Sequence, residues 1–233
     1  EGQPAETAEA ALRSTRRMRR LVGDLLLLAR ADADRSQPHR PTDLGKVLVE
    51  VAAELGPMSG DHELVIDAAP AAVIGARDEL HRLILNLLEN AIRHTPPGTR
   101  IRAATRSADG QATIVVEDSG PGIPSELAQR VFERFVRGGR DGGRGSGLGL
   151  AIVRSVAESH GGTVTLSTSA LGTALHPGTC FLIQLPAAGA TNGAIAPSSE
   201  QIVLAAGGDG DDEGDDQTST TTGRTIGRRR SRS

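Results

Sequence analysis

Three short runs of residues follow one another in the chain: Asn86-Leu-Leu-Glu89-Asn90-Ala-Ile-Arg93-His94, then Asp118-Ser-Gly120-Pro-Gly122, then Gly145-Ser146-Gly147-Leu148-Gly149-Leu150. With about 100° per residue, a helix sets Asn86, Asn90, Arg93 and His94 on one stripe, roughly 120° from the centre of its apolar face. The stripe borders the core instead of facing open solvent. Asn side chains there can ligate a hard cation or bond phosphate oxygens, while Arg93 and His94 add positive charge or donors. Alone, this is only a polar shoulder on a core helix. Asp118 follows the alternating run Ala112-Thr-Ile-Val-Val-Glu117 and leads into Gly120 and Gly122. A carboxylate at a strand end, beside glycines that let a ring approach the backbone, suits an exocyclic amine donor such as adenine N6. Gly145, Gly147 and Gly149 open a helix, where free N–H groups and the helix dipole form a cradle for a triphosphate. The Arg-rich loop 137–144 before them could fold over the nucleotide as a lid. No Gly-Lys-Ser/Thr follows, so this is not a Walker loop. No acidic residue closes a βαβ unit ~20 positions on, so it is not a dinucleotide site.

The elements that must carry these groups are legible from periodicity. Apolar side chains at 80, 83, 84, 87, 88, 91 and 92 predict a helix over 78–94, stopped by Pro96-Pro97-Gly98. A helix near 43–56 precedes it, with Thr42 or Asp43 as cap, and short strands follow near 63–67 and 72–74. Strands are expected near 99–106 and 112–117, and a short helix over about 125–134. A helix from about 148 to 159 ends at His160-Gly161-Gly162. Strands near 163–168 and 179–185 close the domain at Pro186. Strand pairs interspersed with helices predict an α+β fold: a mixed sheet with helices layered on one face. Residues 5–34 read as one long helix with Leu12, Met18, Val22, Leu25 and Ala29 near heptad spacing. A single helix with an apolar seam needs a partner helix, so a dimer through 5–34 is expected. Ser36-Gln-Pro-His-Arg-Pro41 is a proline-punctuated linker.

Composition narrows the class. The 233 residues hold one ordinary domain plus flanking material, with no Trp or Tyr and three Phe, so the core is aliphatic. The formal charge of −3 gives no global pull toward nucleic acid or anionic membrane. Arg13, Arg16, Arg17, Arg19 and Arg20 fit a solvated helix face. The single cysteine, Cys180, excludes an internal disulfide and fits a reducing, cytoplasmic compartment; within Gly-Thr-Cys-Phe-Leu-Ile it reads as a buried structural thiol. No apolar run approaches the roughly 20 residues of a membrane helix. The chain opens at Glu1, so a fragment or processed piece is expected, and a longer parent could be membrane-anchored. Beyond Pro186 a low-complexity tail carries an acidic cluster at 209–216 and a basic end at 224–232, read as solvated disorder.

Together the three runs resemble the ATP-binding catalytic domain of bacterial sensor histidine kinases, in the superfamily shared with DNA gyrase, heat-shock chaperones and mismatch-repair ATPases. The resemblance covers about 42–186. It implies a two-layer α/β sandwich of the Bergerat type preceded by a long helix, with ATP and Mg2+ as cofactors. It further implies transfer of the ATP γ-phosphate to histidine, with a response regulator downstream. Asn90 then matches the magnesium-coordinating asparagine and Asn86 its upstream companion; both count as catalytic, with Glu89 as a neighbour whose helix phase lies farther from the stripe. Arg93 and His94 match phosphate-side residues, and Asp118, Gly120, Gly122 and Ile123 the adenine loop. Phe132, Phe135 and Arg137 match the segment before the lid. Gly145, Ser146, Gly147, Leu148, Gly149 and Leu150 match the phosphate loop, and Thr179 the strand threonine near adenine. Hydrolases of the superfamily carry Glu where this chain has Asn86. An amide cannot accept a proton as general base, so water activation there is disfavoured and a stronger nucleophile, an imidazole, is expected.

That imidazole is missing. Residues 16–34 resemble the second helix of the family's dimerisation hairpin, whose first helix should carry the acceptor within a His-Glu/Asp-Leu-Arg/Lys-Thr/Asn-Pro pattern. The six histidines are 39, 62, 81, 94, 160 and 176. Only His62-Glu63-Leu64 mimics its start, and it runs on into a strand. The expected organisation is thus a hairpin helix over 1–36, a linker over 37–41, the ATP-binding domain over 42–186 and a tail over 187–233. The acceptor would lie on a separate or missing segment or a partner kinase. The alternative is a nucleotide-sensing module that docks through its first helix without chemistry.

Overall fold

The computed structural model describes residues 14–15, 18–19, 21–30, 38–138 and 146–189. The first helix, α1, is continuous over 21–30. Strand β1 (Arg40–Asp43) leads into α2 (Leu44–Leu55) and a 3-10 turn (Gly56–Met58). Then come β2 (Glu63–Ala68), β3 (Ala72–Gly75), α3 (Arg77–His94), β4 (Arg100–Ala108) and β5 (Gln111–Asp118). The one-turn α4 (Ser125–Ala128), α5 (Gly149–Ser159), β6 (Thr163–Ser167) and β7 (Thr179–Pro186) complete the order.

Five strands form one sheet in the order β2-β4-β5-β7-β6, and β1 and β3 form a separate antiparallel pair. Only β2 and β4 run parallel; the other neighbours in the large sheet are antiparallel. Alternation decides which face is covered. Ile101, Ala103, Ala112, Ile114, Val116, Phe181, Ile183 and Leu185 are buried in one core with α2, α3 and α5. Leu80, Leu83, Ile84, Leu87 and Leu88 of α3 are each 0% exposed, and each such side chain contributes about 1.5–3 kcal/mol on burial. This is the mixed sheet with helices on one face expected from the periodicity, and the α/β sandwich that the resemblance implies.

Several local expectations change. Arg40–Asp43 is a strand, paired with Ala72–Gly75, so chain pairing starts inside the stretch read as linker. Asp43, not Thr42, caps α2: its Oδ1 accepts the Gly45 N–H at 3.0 Å and the Ala71 N–H at 3.1 Å. The helix expected to reach 134 stops at Ala128 and gives way to turns, beyond which Phe135 donates its N–H to the Gly147 carbonyl at 2.8 Å. The first residues read as tail are fastened instead. Ala187 bridges Val73 and donates to Gly110, and Ala188 donates to Ala72. Residues 190–233 lie outside the described residues, as do 1–13, 16, 17, 20 and 31–37. Cys180 is half-buried on the sheet face away from the helices, and burial pushes its thiol up.

Helix α1 has two faces. Leu28 is buried in the core cluster, and Asp24, also buried, accepts from Nε of Arg82 on α3 at 3.0 Å. Met18, Val22, Leu25 and Leu26 are exposed. Among the described residues no helix is long and apolar enough to cross a membrane.

Candidate nucleotide site

Helix α3 meets both glycine turns. At its middle, Asn86 is 7% exposed, and a Cβ built on Gly149, the first residue of α5, would lie 3.6 Å from the Asn86 Oδ1. At its end, a Cβ on Gly120 would lie 2.6 Å from Cγ2 of Thr95. Nine residues at about 1.5 Å each separate the two contacts by ~13 Å along the helix, a span suited to a nucleotide laid from base to phosphates. Thr95 escaped the sequence reading; its only signal was its place between the helix and Pro96.

Asn86 carries the least satisfied group of the site. Its Nδ2 is buried and has no hydrogen-bond partner among the described residues. Asn90, one turn on, is half-exposed, and so is placed to reach a ligand lying over the helix. Glu89 is buried and pairs with Arg93 at 3.4 Å, so Arg93 reaches the stripe already tethered to its own helix. His94 is exposed at the helix end.

At the other end of the site, Asp118 closes β5 with 5% exposure. Its Oδ1 accepts the Gly120 N–H at 2.9 Å, and Thr179, its register partner on β7, also bonds it. Burial raises the carboxyl above its ordinary range; the Gly120 and Thr179 bonds oppose that shift, and the neighbouring Glu117 charge adds to it. Gly122 has φ +76°, and a Cβ there would meet Pro177 at 2.9 Å, so both its conformation and its surroundings require glycine. Ile123 packs partly buried on the core.

The turn that enters α5 is built around Gly147, with φ +70° and its Cβ position 2.8 Å from the Phe135 backbone. Phe135 itself adopts φ 66° and is 64% exposed, while Phe132 tucks inward, edge-on to Phe181 at 6.1 Å. The aromatic pair therefore splits between core and surface. Leu148 is a fully buried core residue whose N–H bonds the Ser146 hydroxyl at 3.3 Å, and Leu150 packs on the same core. Arg137 is exposed; Gly145 and most of the expected lid lie outside the described residues. Structure thus sets Gly149 against Asn86 at the middle of α3, with Asn90 one turn on, and gathers Asp118, Gly120, Gly122 and Thr179 near its end.

Residues 75–189 match the family model described as histidine kinase-, DNA gyrase B-, and HSP90-like ATPase. The probable sensor histidine kinase TcrY of Mycobacterium tuberculosis is 40% identical over 178 residues, covering 74% of this chain and 36% of TcrY. The histidine-protein kinase/phosphatase MprB of Mycobacterium avium is 39% identical, covering 71% and 32%. The chain therefore spans about a third of the length of these curated relatives. Among solved structures, that of the mycobacterial sensor histidine kinase MprB is 38% identical, with a TM-score of 0.58 over 64% of this chain and 97% of that one. Full-length ShkA in complex with AMPPNP is 26% identical, with a TM-score of 0.65 over 81% of this chain and 40% of ShkA. The motif order, the sandwich and these relatives agree: the chain belongs to the sensor histidine kinases, as a member of the histidine kinase-, gyrase- and HSP90-like ATPase family.

Proposed function

We propose that this chain is the ATP-binding catalytic part of a two-component sensor histidine kinase. It would act on the cytoplasmic side, transferring the ATP γ-phosphate to a histidine on another segment or polypeptide for relay to a response regulator. The observation that carries this reading is the buried, unpartnered amide of Asn86 facing the glycine turn that opens α5. A buried polar group without a partner is rare unless a ligand completes it. That relative ShkA binds AMPPNP, an ATP analogue, supports ATP as the ligand.

Each residue then has a physical task. Asp118, fixed by Gly120 and Thr179, accepts from the adenine amine. The backbone N–H groups at the start of α5 and the helix dipole receive the phosphates. Asn86 orients a phosphate oxygen through its free Nδ2, while Arg93 and His94, two turns further along α3, supply positive charge or donors. Phe132 closes the site from the core side. Because Asn86 stands where the superfamily's hydrolases carry a carboxylate, water activation at that position is disfavoured, so the nucleotide is held for an incoming imidazole.

The donor set also suits magnesium. Amide oxygens are hard ligands, and no group of three or more His, Cys, Asp or Glu that could hold a metal occurs among the described residues. Mg2+ characteristically takes few protein ligands and completes its shell with phosphates and water. Asn90 would hold the ion, with Asn86 beside it; when bound, magnesium would neutralise charge on the phosphate oxygens.

The test mixes labelled ATP, magnesium, this chain and a polypeptide bearing a histidine on a dimerisation helix. Label should appear on the added histidine, and Asn90→Ala should abolish it. Undiminished transfer in that variant would overturn the assignment. Tight magnesium-dependent ATP binding with no transfer to any acceptor would point instead to a nucleotide-sensing module.

A further inference from the structure

One residue before Asp118 lies a second buried carboxylate, aimed the opposite way. Strand alternation turns Asp118 toward the helices and Glu117 toward the other face of the sheet. Glu117 is 4% exposed. Arg102, its register partner on β4, donates Nη1 to its Oε1 at 3.1 Å, and the hydroxyl of Ser169 donates to its Oε2 at 3.1 Å. Arg102 also reaches Asp67 at 3.4 Å. Burying a carboxylate costs stability unless such partners satisfy it, and here both oxygens are engaged.

The group thereby held is the connection between β6 and β7. Ser169 N–H donates to the Pro177 carbonyl at 3.0 Å, Leu171 N–H to the Ser169 hydroxyl at 3.0 Å, and Thr173 N–H to the His176 carbonyl at 2.6 Å. Residues 169–178 thus close on themselves as a strap anchored at Ser169. Its last residues lie directly against the adenine-side turn. Gly178 N–H donates to the Gly120 carbonyl at 3.0 Å, and a Cβ on Gly178 would stand 2.2 Å from the Asp118 carbonyl oxygen and 2.7 Å from the Ser169 Cβ. Pro177 abuts Gly122 in the same way. Any drift of the strap would open the turn that presents Asp118.

We propose that Glu117, acting through Ser169, is a positioning residue for nucleotide binding: it clamps the 169–178 strap against the Asp118–Gly122 turn and so fixes the fit around the base. This rests on the nucleotide reading of the site. Glu117 never touches the nucleotide; Arg102 sets its carboxylate, and Ser169 transmits the position.

Titration calorimetry with ATP and GTP, in the presence of magnesium, tests the clamp on the whole chain, with a melting curve for each variant to establish folding. Ser169→Ala should weaken ATP about tenfold, the scale of one hydrogen bond to a charged acceptor, and should lower the preference for ATP over GTP. Ser169→Thr, which keeps the hydroxyl, should restore both. Glu117→Gln should fall between, since its amide oxygen still accepts from Ser169. Unchanged ATP affinity and base preference in a folded Ser169→Ala chain overturn the clamp, as does an equal loss in Ser169→Ala and Ser169→Thr. Absence of ATP binding by the unmodified chain would overturn the underlying nucleotide reading instead.

Discussion

A buried amide without a partner costs about 1–3 kcal/mol, and Asn86 carries that cost at the middle of α3. Groups of this kind persist where a ligand repays them. Asn86→Ala should therefore leave the melting temperature of the ligand-free chain unchanged or raised, while ATP stabilisation is lost. At ATP one hundredfold above its Kd, binding stabilises the original chain by about 2.7 kcal/mol; a hundredfold weaker variant keeps only about 0.4 kcal/mol. Melting with and without Mg-ATP checks this, and an equal upshift in both proteins would remove Asn86 from the site. Asp118 makes a second prediction, with two opposite signs. Burial raises its carboxyl, so on acidification it protonates earlier than an exposed aspartate of ordinary value 3.8. ATP affinity should fall with it, since the neutral acid no longer offers an ionised acceptor to the amine. Stability moves the other way: the folded state holds this proton more tightly than the unfolded chain, so the group's contribution rises as pH falls through the raised value. Calorimetry between pH 7 and 4 should show this loss in the original chain, and Asp118→Asn should lack it while discriminating poorly between ATP and GTP.

Helix α5 is pinned at both ends, and only one of those pins was readable beforehand. Its glycine start was legible because Gly147 and Gly149 sit at the spacing of a turn entering a helix. Its far end was legible as a boundary at His160-Gly161-Gly162, but the contacts that pin it there were not. His160 donates its Nδ1 proton to the Val156 carbonyl at 2.8 Å, its Nε2 accepts the Ala76 N–H at 3.0 Å, and its ring stacks on His39 at 4.6 Å. This ties α5 to the corner between β3 and α3, and a ring with one donor and one acceptor used in this way is neutral. Burial lowers its pKa, with His39 adding to the shift. The unfolded chain therefore binds the proton first: stability from His160 is full above its ordinary value of 6.5 and declines as pH falls through it toward the lowered folded value. His160→Ala should cost about 2–3 kcal/mol at pH 8, and less at pH 5. Denaturant melts at both pH values decide it, and a constant difference would refute the neutral clasp. The same contrast explains what the sequence could and could not tell. Helix α3 was legible because seven apolar positions repeat at its period, whereas β1 is four residues long inside a proline-punctuated stretch. Ser169 meets Glu117 across 52 residues, and His39 meets His160 across a longer interval still. Such contacts have no local signature.

At the scale of the whole molecule, α1 joins two systems. One face docks on the ATP-binding unit through buried Leu28 and the bond from Arg82 to Asp24; the other presents Met18, Val22 and Leu25 at heptad spacing to solvent. The docked face leads into α3, because Arg82 lies one helical turn before Asn86 and two before Asn90. A partner that rotated α1 would therefore act on the helix that carries the phosphate-side groups, without crossing the sheet. Two measurements test whether this docking is a real coupling. A double-mutant cycle of Asp24→Ala and Arg82→Ala should give an interaction of about 1–3 kcal/mol, the range for contacting residues in one network. Hydrogen exchange over 21–30 should accelerate at least about tenfold in Arg82→Ala, which a loss of about 1.4 kcal/mol from its paired bonds to Asp24 would produce. ATP affinity should stay unchanged, because neither residue reaches the glycine turns. Additive losses with unaltered exchange would mean that α1 merely lies against the domain, and that a signal arriving along the helix must enter the site by another route.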